Sequence, residues 1–139
     1  MNARTAIITL LLGAAPFQAF AGEERVKWWQ SDTVKADIGL SEAQSTEIER
    51  IFQSVLPQMR VEKEELDRQE RALSKLMDGA SAGEAEISLM VDRVESARAK
   101  ASKTRLLMLY RMHQVLSPAQ REKLDVVHSR QRGGRRGPG

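Results

Sequence analysis

From Ser41 onward, apolar and polar residues follow one another with the period of a helix. Ile48, Phe52, Val55, Met59, Leu66, Leu73 and Leu76 fall on one stripe, with Glu62 and Gln69 filling its gaps. Steps of three and four residues predict a single long amphipathic helix. Ser41 and Gln44 open it as a capping box: the hydroxyl takes a free backbone N–H and the amide reaches back to the cap. Pro57 removes one backbone bond inside the pattern. It is expected to bend the helix rather than end it, because the periodicity resumes unchanged. Asp78 to Gly83 (DGASAG) is a connector of turn formers. A second long helix begins at Glu84 and carries Ile87, Met90, Val94, Ala97, Ala101, Thr104, Met108 and Val115. Two helices of roughly 50 Å, at ~1.5 Å per residue, joined by so short a connector must lie antiparallel.

Shorter elements flank this hairpin. Ser31 or Asp32 can cap a brief helix through Val34 and Ile38, with Gly39 placed to end it. Of the adjacent Trp28 and Trp29, at least one is expected to pack over the bundle end, the other reading being an exposed contact for a partner. At Leu116-Ser117-Pro118-Ala119-Gln120, Ser117 caps a last helix, Pro118 takes its first position and Gln120 completes a second box. That helix, to about Ser129, presents Leu124, Val127 and His128. The fold class is therefore all-α, a long antiparallel hairpin with short flanking helices. The helical domain spans 22–129, and residues 130–139 (RQRGGRRGPG), with nothing apolar to bury, are expected to be a disordered Arg/Gly-rich tail.

The first 21 residues read as a signal peptide. Arg4 precedes the apolar run AIITLLLGAA, and Ala19-Phe20-Ala21 fits cleavage before Gly22. From Ala6 to Ala21 the stretch is shorter than the ~20 residues of a spanning helix. The expected location is thus the periplasm, with the chain soluble after cleavage. The chain has no cysteine, which leaves neither a disulfide nor a lipid-modified amino terminus. Of its 22 basic residues, only Arg4 is lost on cleavage, while four arginines stand after residue 129. Residues 22–129 keep 17 bases against 19 acids, so the basic excess belongs to the tail.

Two slender helices bury one narrow seam between them. Ile51, Leu56, Leu89, Leu106, Leu107, Leu109 and Tyr110 fall off that seam. Apolar surface of this extent calls for a cover, either a second hairpin or a bound ligand, and both are expected.

Enzyme chemistry finds no foothold. The sequence has no phosphate-cradling glycine loop, no glycine-flanked serine and no His pair on one helical turn, so the protein is not expected to be an enzyme. Glu62, Glu64, Glu65, Asp67 and Glu70 interleave with Lys63, Arg68 and Arg71, the pattern of a solvated helix face. Metal binding has weak candidates in Met108, Met112, His113 and His128, a soft set at helical spacing whose methionines also serve as core fillers. No cofactor beyond such an ion is expected, and an exported chain has no nucleic acid for its Arg-Gly tail.

The segments Leu40-Ser41-Glu42-Ala43-Gln44 and Leu116-Ser117-Pro118-Ala119-Gln120 resemble the paired Leu-Thr-x-x-Gln motif of the Spy/CpxP family, with Ser in place of Thr in both copies. The approach from Trp28-Trp29 to Leu40 is similar to that of its zinc-resistance-associated and heavy-metal-sensor branches. This resemblance, over about residues 26–126, implies a cradle-shaped antiparallel homodimer in the periplasm. It implies ATP-independent holding of unfolded proteins under envelope stress, or restraint of a membrane sensor kinase or anti-sigma factor. The reading is accordingly a stress-response chaperone, with Leu56, Met59, Leu66, Leu106, Leu107 and Leu109 as candidate client contacts. The alternative is a sensor or modulator responsive to zinc, copper or nickel. Against that alternative, the chain lacks the amino-terminal histidines that the metal-sensing branch usually offers.

Overall fold

The computed structural model describes residues 27–134. The expected signal peptide and the last five residues of the expected tail lie outside the described residues. A 3-10 turn at Trp28–Gln30 leads into α1 (Asp32–Ile38), α2 (Glu42–Asp78), α3 (Glu84–Gln114) and α4 (Pro118–Gly133). The described residues contain no strand. Helices α2 and α3, of 37 and 31 residues, pack against each other as a hairpin, and α1 packs on α4 beside its open end.

Each boundary follows from local chemistry. The Ser31 hydroxyl accepts from the Val34 N–H to start α1, and Gly39 closes it with φ 71°, a left-handed conformation that favours glycine. Both capping boxes form: Ser41 and Gln44 at α2, Ser117 and Gln120 at α4. Helix α2 runs through Pro57 without a break. Helix α4 continues to Gly133, so residues 130–133, read from sequence as the start of the tail, are helical. Good helix formers at Arg130, Gln131 and Arg132 extend a helix already anchored by Leu124 and Val127.

The core has two parts. The larger lies at the open end, where Ile48, Ile51, Phe52 and Val55 of α2 meet Met108 and Met112 of α3, Val34 and Ile38 of α1, and Leu124 and Val127 of α4. Trp29 fills its centre. Ile51, expected outside the seam, is buried here because the flanking helices cover a wider sector of α2 than α3 alone can. The smaller part, Leu66, Leu73 and Val94, lies toward the connector, with Ile87, Met90 and Ala97 packed against it. Between the two, Glu62 is buried at 5% exposure. One of its carboxylate oxygens accepts from Gln58 Nε2 at 3.0 Å, and the other has no hydrogen bond among the described residues. Opposite this belt, α3 supplies the small buried Ala101.

Candidate functional site

The two five-residue motifs meet. Gln44 Oε1 accepts from its own cap at Ser41 N, and its amide donates to Gln120 Oε1 at 2.8 Å and to the Val115 carbonyl at 3.0 Å. Gln120 repeats the pattern, accepting from Ser117 N and donating to Gln44 Oε1 at 3.0 Å and to the Gly39 carbonyl at 2.8 Å. Gly39 and Val115 each stand two residues before the capping serine, so the clasp has local two-fold character. Leu40 and Leu116, the first residues of the motifs, are both buried in the larger core. Arg121 seals the end of α3 by donating to the carbonyls of His113 and Leu116. The motifs are therefore structural: they tie the start of α2 to the start of α4 and close the open end of the hairpin.

A second polar hub centres on Glu49, which sequence reasoning did not single out. Its carboxylate accepts from Trp29 Nε1 at 2.6 Å, Lys27 Nζ at 2.9 Å, Gln30 Nε2 at 3.0 Å and Gln53 Nε2 at 2.7 Å. Burial works against the charged form, yet hydrogen bonds from Gln53, Lys27 and Trp29, with the charge of Lys27, outweigh it and hold the carboxyl below its ordinary pKa. Trp29 is thereby fixed in orientation, tilted 53° against Phe52 at 5.3 Å, while Trp28 stands edge-on to it. Of the two tryptophans, Trp29 is buried and Trp28 half-buried.

The expected client contacts separate into three groups. Met59 and Leu66 are buried in the seam and contact α3, so neither offers surface for a client. They lie on the stripe itself, where periodicity already placed them. Leu56 and Leu109 are half-buried, packed on the rim of the larger core. Leu106 and Leu107 are 60% and 45% exposed. At about 100° per residue, Leu56 and Leu109 each lie about 80° from the seam's midline on the same broad flank of the hairpin, and Leu106 lies beyond them toward the outer face of α3. Leu107 turns toward the opposite flank. The outer face of α3 also exposes Leu89 and, at 62%, Tyr110. From Ser96 to Gln114 that helix carries Arg98, Lys100, Lys103, Arg105 and Arg111 and no acid, whereas Glu84, Glu86, Asp92 and Glu95 crowd its first third.

A family model described as heavy-metal resistance matches residues 3–123. The chain belongs to that family, part of the Spy/CpxP-like group marked by paired Leu-Thr-x-x-Gln motifs. No match to a curated protein or to a solved structure accompanies it. Among the described residues, no helix is long and apolar enough to cross a membrane.

The soft candidates for metal binding are divided by the fold. Met108 and Met112 point into the larger core, both buried. His113 and His128 are half-buried, and His128 stacks edge-on to Trp28 at 6.4 Å. Burial, then the charges of Arg132 and His113, push the His128 imidazole below its ordinary pKa against the opposing pull of Asp125. Among the described residues, no group of three or more His, Asp or Glu side chains is disposed to hold a metal ion.

Proposed function

We propose that this heavy-metal resistance protein is a periplasmic, ATP-independent chaperone that holds unfolded proteins on one apolar flank of its hairpin and works as an antiparallel homodimer. The observation that carries the reading is the pair Leu56 and Leu109, aliphatic side chains that the fold leaves partly uncovered on one flank of a two-helix hairpin, apart from the outer face of α3. Heavy metals unfold envelope proteins by seizing their thiols and imidazoles, so a holder of unfolded segments suits a resistance role. A shallow apolar strip releases its client as the client buries its own residues, without a nucleotide. The basic half of α3 alongside attracts acidic flanks of such segments.

The partner in the dimer is a second α3. Leu89, Asp92, Ser96, Ala99, Lys103 and Leu106 step along its outer face at alternating three and four residues, and all six are exposed. This is the spacing of a coiled-coil seam. With a two-fold axis between Ala97 and Arg98, antiparallel copies set Leu89 against Leu106, Asp92 against Lys103 and Ser96 against Ala99. Apolar meets apolar, acid meets base, and small residues at the centre allow close approach.

Purified exported chain at a few-fold excess is expected to slow aggregation of a reduced, heat-stressed client. Leu56→Ser/Leu109→Ser is expected to lose most of that effect. Unchanged aggregation in the presence of the wild-type chain contradicts the reading. A second reading, response to a bound metal, is favoured by the heavy-metal resistance family to which the chain belongs, and calorimetry with zinc, copper and nickel on wild type and His128→Ala decides it.

A further inference from the structure

The hairpin is enclosed unevenly along its length. The larger core draws on the 3-10 turn and all four helices, whereas the smaller one is built from Leu66, Leu73 and Val94, supplied by α2 and α3 alone. Ile87 and Met90, packed against it, are only half-buried, and toward the connector Met77, Leu89 and Val91 are exposed. Met59 is the last α2 residue of the larger core and Leu66 the first of the smaller. Between them stands Glu62, enclosed, with one carboxylate oxygen that no donor reaches. On α3, Ala101 is the one buried residue between Val94 and Met108, so a single methyl group faces this belt. An enclosed carboxylate oxygen without a donor is destabilising while the seam is closed, and water relieves it when the seam opens. Gln58, which holds the other oxygen and also donates to Thr104 Oγ1 at 3.3 Å, is exposed, so its bonds pass to water at little cost.

We infer that the hairpin opens at the Glu62 belt: α2 beyond Glu62 parts from α3 while the clasped end stays closed, and the opened half offers Leu66, Leu73, Val94, Ile87 and Met90 to an apolar segment of an unfolded protein. Local opening is drawn from regions with few buried apolar contacts, and here three buried side chains hold the distal halves of both helices together. Hydration of the Glu62 carboxylate offsets part of the cost of uncovering Leu66. The other end does not follow, because the Gln44–Gln120 clasp and the core around Trp29 hold it. Pairing through the outer face of α3 is compatible with this motion, since α2 is the helix that leaves. The client surface deepens the chaperone reading and rests on it, whereas the opening itself does not.

Amide hydrogen exchange of residues 22–139, read by mass spectrometry, tests the opening. A helix without tertiary support is marginal in water, so its amides exchange once the seam parts. Exchange over 66–76 is expected to be about tenfold or more faster than over 48–55, with the step falling near Glu62. Glu62→Leu, which joins the two cores, is expected to slow exchange over 66–76 roughly tenfold, and Glu62→Gln, which keeps the shape without the charge, by a smaller factor. Gln120→Ala loosens the clasped end, so it is expected to speed exchange over 48–55 and leave 66–76 unchanged. Equal exchange in the two segments, a gradual rise from the connector that Glu62→Leu does not alter, or acceleration of both segments by Gln120→Ala overturns the opening. In the aggregation assay Glu62→Leu, with Leu56 and Leu109 intact, is expected to lose much of the wild-type protection. Full protection by Glu62→Leu overturns the client surface. A wild-type chain that protects nothing overturns the chaperone reading and the client surface with it, while the exchange result stands.

Discussion

Trp29→Ala is expected to cost the fold about 3–5 kcal/mol. Its ring is almost wholly enclosed by residues from the larger core, its indole N–H is held by Glu49, and its carbonyl accepts from the buried Ser45 hydroxyl at 2.6 Å. Truncation empties the centre of that core and leaves the Glu49 carboxylate short of a donor, so transfer, cavity and polar terms act together. At roughly 4–8 °C per kcal/mol for a domain near this size, melting falls by more than ten degrees. Trp28→Ala, half-buried and in edge contact with Trp29 and His128, is expected to cost about 1 kcal/mol. Thermal melts of the two variants by circular dichroism check the contrast. Equal losses contradict the placement of Trp29 at the centre of the core.

The second large effect belongs to the glutamine clasp. Gln44→Ala and Gln120→Ala each strip a backbone cap of its acceptor and leave a carbonyl, Val115 or Gly39, without its donor. Each is expected to cost about 2 kcal/mol, at the rate of 1–3 per buried polar group left unpaired. The double variant is expected to cost less than the two singles together, by about 1 kcal/mol, because the amides bond to each other. Denaturant melts of the four proteins in the cycle measure that difference, and strict additivity contradicts the clasp. Gln44→Glu offers a sharper comparison. It keeps the acceptor for Ser41 but loses both donations, and is expected to resemble Gln44→Ala.

The elements that depend on near neighbours were legible along the chain. Ser31, Ser41 and Ser117 announced their helices because a cap acts within three residues, and Gly39 announced an end because a left-handed position favours glycine. The seam was legible because 3.6 residues per turn carries Ile48 through Leu73 onto one face. What depends on distant residues was not. Each capping box reads as a closed local unit, and an amide's spare hydrogens declare no partner, so nothing in sequence joined Gln44 to Gln120 across 76 residues. Glu49 looked like any solvated glutamate, because the donors that meet it from Lys27, Trp29 and Gln30 stand outside its helix, some twenty residues earlier in the chain. Ile51 was assigned outward because a two-helix seam is narrow, whereas the flanking helices widen it. Met59 and Leu66 were offered to clients although their own periodicity had already committed them to the seam.

These readings share one physical premise. A hairpin with a single seam, broken at Glu62 and lined by alanine opposite, exposes Leu89, Leu106 and Tyr110 on its outer helix, and the proposed dimer covers Leu89 and Leu106 with a second chain. Multi-angle light scattering of residues 22–139 at micromolar concentration tests that premise most directly. It is predicted to give twice the mass of one chain, with Asp92→Lys giving a single chain and Asp92→Lys/Lys103→Asp restoring the pair. A wild-type protein that scatters as one chain, unchanged by Asp92→Lys, contradicts it.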